Sequence, residues 1–171
     1  FLSTKSYLPR TWAKQAHDTP LYAASSFSYS VAGICMLFHL PCLAKFHAAP
    51  LSEQAMRVEA LLLVLQGIFS FLADVVFLSI DSVWHRNDRL LATTLTLVQC
   101  VRLFCTFGVP STVILGYAFC LIAAIHCFRM GKTARAVGNC AQYLLWHGLW
   151  HTVLPAGGLG VIAAMCADSY L

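Results

Sequence analysis

Residues 58–80 read VEALLLVLQGIFSFLADVVFLSI. The run exceeds the ~20 apolar residues that carry a helix across a bilayer core. Glu59, Gln66, Ser70 and Asp74 lie within it, and Asp81 follows. Their steps of seven, four, four and seven place them in one stripe on one face of a helix. Leu, Val, Ile and Phe fill the opposite face. Ionisable groups in a span are costly, so such a stripe faces a protein interior and often marks a functional site. This stretch therefore predicts an all-α, polytopic transmembrane helix bundle.

The whole chain agrees. Its 171 residues are 59% hydrophobic and 11% charged, with mean hydropathy +0.72. A soluble domain is nearer 45–50% apolar and 25% charged. Too little polar surface is left to cover a globule in water. A soluble enzyme, a disordered chain and a secreted disulfide scaffold are set aside on that ground. The net charge of +4 is too small, and too scattered over short loops, to point to nucleic acid. Cys35, Cys100, Cys105, Cys120, Cys127 and Cys166 fall in apolar runs without a C-x-x-C pair and read as buried thiols. The chain opens on Phe1, so a preceding segment is expected; no signal peptide with a cleavage site is read.

Outward from the second span, further apolar runs cover about Ser25–Phe46, Leu90–Phe107 and Thr112–Phe128. Ser52 is placed to cap the second helix. Gly108-Val109-Pro110-Ser111 reads as a tight turn. The run Cys140–Cys166 contains Pro155, which kinks one long helix or divides it into two short ones. One kinked helix makes five spans, and a division makes six; five is the preferred count. Lys5, Arg10, Lys14, Arg86, Arg89, Arg129, Lys132 and Arg135 then fall on one side, against Lys45 and Arg57 on the other. That asymmetry predicts a cytosolic N-terminus. Residues 1–22 read as a polar or interfacial segment, and 23–171 as a single bundle in a multi-pass integral membrane protein.

His147 and His151 form the sharpest chemical signal, in Trp146-His147-Gly148-Leu149-Trp150-His151. A spacing of four puts two imidazoles on one face, one turn apart, able to grip one metal ion. A third ligand is required, and Asp74, His85 and Asp88 are the candidates. In the five-span arrangement His147 lies ~10 Å from the start of its helix at 1.5 Å per residue. Asp74 lies at a similar depth, and Asp88 opens the third span. Other readings stand beside these: Asp74 as partner of Arg102, Ser70 bonded back to its own helix, His85 in a solvated loop, and Asp88 favoured by the helix dipole. His39 and His126 lack a spaced partner and read as structural. Paired across helices with His147 or His151, either would ligate a b-type haem.

The pattern of Ser70, Asp88 and His147-x-x-x-His151 resembles the CREST superfamily of membrane hydrolases. That group includes alkaline ceramidases, progestin and adiponectin receptors, GPI-lipid remodelling proteins and myomaker-like proteins. The resemblance implies zinc, with Ser70 and Asp88 beside the metal as catalytic groups. Where the family carries a histidine four residues after the serine, this chain has Asp74. The implied ligand set is then His147, His151 and Asp74, or His85 as the third. The family's seven spans also exceed the five read here. The implied activity is zinc-dependent hydrolysis of a membrane-lipid amide or ester with an acyl chain. The alternative is a receptor-like or structural membrane protein that keeps the metal as a clasp.

Overall fold

The computed structural model describes residues 8–43, 53–105 and 110–167. Lys5, Lys45, His47, the Ser52 cap, the Gly108–Val109 half of the turn and the side chains of Arg102 and Cys105 lie outside what is described. All regular structure among the described residues is helical. The helices are α1 (Arg10–His17), α2 (Pro20–Ser25), α3 (Ser28–Phe38), α4 (Leu40–Leu43), α5 (Glu53–Phe71), α6 (Val83–Cys105), α7 (Ser111–Ala136) and α8 (Cys140–Cys166). A five-residue π-helical turn, Leu72–Val76, extends α5.

Local chemistry sets several boundaries. Pro20 opens α2, where its missing N–H is no loss. Pro110 precedes α7. Gly138, at φ 74°, takes the left-handed conformation that ends α7. Asn139 then caps α8, its side chain accepting from the Gln142 N–H at 3.1 Å. Pro155 is buried inside α8, which runs unbroken from Cys140 to Cys166.

Among the described residues, four stretches are long and apolar enough to cross a membrane: Pro20–Phe38, Glu53–Val76, Ser111–Ala136 and Cys140–Cys166. The first ends earlier than the expected Phe46, because the helix breaks at His39 before the short α4. The third expected span, from Leu90, is the later part of α6. That helix starts at Val83 and carries Arg86, Asp88 and Arg89 in its first turns. Those charges keep it outside the apolar set, although its 23 residues extend roughly 34 Å at 1.5 Å per residue.

α8 is the central staff. It packs along α7 on one side and against α3 and α2 on another, while α5 joins α3 to α6. α3 and α5 approach closely. A β-carbon at Gly33 would meet the Ala60 carbonyl at 2.5 Å, and the Ser30 hydroxyl donates to the Val64 carbonyl at 2.8 Å. Small residues and a hydroxyl bond of this kind join helices where no hydrophobic force between them exists. The outward face of α7 is apolar, with Leu115, Phe119 and Ile122 each about two-thirds exposed, as a lipid-facing helix requires. α1 lies across one end of the bundle: Trp12 packs 5.8 Å from Tyr143 by ring centroids, and the Leu8 N–H bonds the Leu78 carbonyl.

At the other end, Cys42 and Cys166 are joined in a disulfide with their α-carbons 5.8 Å apart, a normal bridging distance. This corrects the expectation of a buried thiol at Cys166. Two runs distant in sequence converge at the ends of α4 and α8, which apolar patterning does not reveal. Cys35, Cys100, Cys120, Cys127 and Cys140 are free thiols.

Candidate metal centre

The π-helical turn positions the first functional side chain. Its widened ladder, closed by the Phe77 N–H on the Leu72 carbonyl at 2.8 Å, carries Asp74 into the bundle, where it is 7% exposed. π-turns inside α-helices recur at functional sites. α8 supplies His147 and His151 one turn apart, their rings 4.7 Å apart by centroid.

The three residues converge on one oxygen. His147 Nε2 and His151 Nε2 each lie 3.1 Å from Asp74 Oδ2. All three residues offer ligand atoms within 4.8 Å of one another. Ligands ~2.1 Å from a tetrahedral ion stand ~3.4 Å apart, so the spacing suits a small divalent cation. Two nitrogens and a carboxylate also suit zinc chemically, and three protein ligands leave a fourth position open. The group can hold a metal ion.

Ser70 sits one turn before Asp74 with its side chain fully buried. Its Oγ donates to Asp74 Oδ2 at 3.3 Å and lies 3.2 Å from His151 Nδ1. It therefore touches two of the three metal-capable residues, a placement that can orient a ligating imidazole. Asp88, also a candidate third ligand, lies in the first turns of α6 and is not a member of the metal-capable group. Gln66 Nε2 donates to Asp88 Oδ1 at 2.7 Å.

His85 is placed differently. It is buried, but its Nε2 lies 3.0 Å from the Phe77 carbonyl and 3.1 Å from that of Ile80. Carbonyls only accept, so Nε2 carries a proton and is committed to closing the turn after the π-helix. His85 is not a member of the metal-capable group. His39 ends α3, and His126 packs edge-on against Trp146 at 5.9 Å. Neither belongs to the group.

Three tyrosines, not singled out in the sequence, wall the pair. Tyr143 stacks on His147 at 5.1 Å and Tyr22 lies 6.0 Å from it. Tyr29 meets His151 edge-on at 6.1 Å. Tyr143 had a legible signal, since it precedes His147 by the same step of four. Tyr22 and Tyr29 come from the first span, and nothing local ties them to α8. No protein-family model, curated protein or solved structure matches the chain.

Proposed function

We propose that the protein is a zinc-dependent intramembrane hydrolase acting on a lipid amide or ester. The observation that carries this reading is the buried Asp74–His147–His151 group, with three convergent ligand atoms at the end of a membrane-length helix pair. Zinc bound there supplies Lewis acidity, which polarises a carbonyl and makes water acidic near neutral pH. His147 and His151 supply Nε2 and Asp74 supplies Oδ2. Ser70 orients His151: a proton on Nδ1 bonded to Ser70 Oγ leaves the Nε2 lone pair for the metal. Asp88 is the general base, held by Gln66 and not itself one of the ligands. The apolar faces of the surrounding helices would receive an acyl chain.

The protein sits in the membrane with five spans and its N-terminus in the cytosol. The disulfide supports the count by parity. Cys42 and Cys166 share one end of the bundle, so an even number of crossings separates them. α5, α7 and α8 make three, and α6 makes the fourth. Arg10, Lys14, Arg86, Arg89, Arg129, Lys132 and Arg135 belong to the opposite end, as cytosolic charges should. The bridged end then faces an oxidising compartment, where disulfides persist.

The test is metal content per protomer on detergent-purified protein, wild type beside a His147→Ala, His151→Ala double variant, followed by turnover on ceramides and phospholipids. About one zinc in wild type, none in the variant, and zinc-dependent release of a fatty acid are expected. Zinc without release from any lipid would leave a metal clasp and remove the enzyme. Absence of zinc from both proteins would remove the metal as well.

A further inference from the structure

Gln66 is 1% exposed and ranks among the largest fully buried side chains. Its amide can make four hydrogen bonds. It makes one, from Nε2 to Asp88 Oδ1 at 2.7 Å. That bond fixes the amide's direction, because a carboxylate oxygen takes the NH₂ group and not the carbonyl. The other end, Oε1, is buried without a hydrogen-bond partner. A buried acceptor left unpaired costs about 1–3 kcal/mol. Something outside the described protein atoms is needed to recover that energy.

The position of this acceptor is informative. Gln66 lies one helical turn from Ser70 and two from Asp74, on the same stripe of α5. Its other hand holds Asp88. Along the helix it stands about 12 Å from Asp74 at 1.5 Å per residue, on the face that carries the metal-capable group. An acyl lipid lying along this stripe presents its linking group to Gln66. An amide N–H there pairs with Oε1. An ester oxygen there adds a second acceptor and leaves Oε1 unpaired.

We propose that Gln66 determines specificity by accepting a hydrogen bond through Oε1 from an N–H donor on a bound lipid amide, while Nε2 holds Asp88 in place. This rests on the site taking an acyl lipid, but not on the lipid being hydrolysed. The choice of amide over ester is its content.

The experiment compares a matched pair of probes, a long-chain N-alkyl fatty amide and the ester of identical chain lengths. They differ only by N–H against O. Affinities are read from ligand-induced thermal stabilisation of the full chain in detergent. An unpaired acceptor of 1–3 kcal/mol corresponds to roughly a 5- to 150-fold preference for the amide in the wild type. Gln66→Leu should bring that ratio near one through loss of amide affinity, with zinc content unchanged. Gln66→Met, closer to glutamine in length, gives the same readout if the leucine variant does not fold. Equal binding of both probes to the wild type, binding of neither, or a preference that survives in the variants would overturn the proposal. Amide preference without turnover removes the hydrolase and keeps Gln66 as the reader. Turnover of both lipids with equal affinity keeps the hydrolase and removes the reader.

Discussion

Asp74 is the residue on which the site turns, because both histidines address one of its oxygens. Asp74→Asn keeps the shape and removes the charge. Metal content should fall to near zero, and the buried pairing with the histidines is lost, a change that in other proteins costs about 3–5 kcal/mol. Asp74→His should retain close to one zinc per protomer, since a third imidazole replaces the carboxylate oxygen. Elemental analysis of the two purified variants separates charge from ligation. Ser70→Ala is expected to weaken zinc by about 10- to 100-fold, the usual effect of removing a group that orients a ligand, measured by competition with a chelator. His85→Ala should leave zinc unchanged and lower thermal stability instead, because its bonds go to the Phe77 and Ile80 carbonyls. The His147–His151 pair was legible from spacing alone. Asp74 was legible as a candidate but not separable from His85. That choice depends on how the chain turns after residue 76, and the turn is decided by which group satisfies two backbone carbonyls.

Helix length and helix contact were legible to different degrees. A run of apolar residues announces a span, and α5, α7 and α8 lie close to where hydropathy put them. Boundaries depend on subtler terms. α6 begins before its apolar run because Arg86, Asp88 and Arg89 are good or tolerable helix formers in its first turns. The π-turn at Leu72–Val76 leaves no mark in composition. It shifts the facing of Asp74 by a fraction of a turn relative to an ideal α-helix, which a count of fours and sevens does not register. The α3–α5 contact is hidden for another reason: a glycine such as Gly33 shows its meaning only when the opposite backbone is known. Gly33→Val drives a branched side chain into the Ala60 carbonyl and the adjacent backbone of α5. Destabilisation of ~1–3 kcal/mol, as overpacking generally produces, should appear as a lowered midpoint in thermal unfolding in detergent. A neutral outcome would mean that α3 and α5 stand further apart than described here.

At the scale of the molecule, composition points to lipid as the solvent, and the positive charges predict the sides. The order in which the helices touch was not legible. It follows from contacts between residues far apart in the chain, such as Ser30 with Val64 and Tyr22 with His147. The proposed orientation makes a direct prediction. In sealed vesicles of known sidedness, a membrane-impermeant maleimide should label Cys42 and Cys166 only after reduction, and only from the face opposite Arg10 and Lys14. Labelling from the basic face would reverse the topology and place the metal-capable group on the other leaflet.

The bridge also changes what kind of object the chain is. With its two cysteines 124 positions apart in sequence, all of α5, α6, α7 and α8 belong to a closed ring, and the segments before Cys42 and after Cys166 lie outside it. A protease that nicks the ring once, in any loop, opens it without releasing a piece. The cut protein should run as one band until a reductant divides it in two. A nick before Cys42 should release the amino-terminal tail with no reductant present.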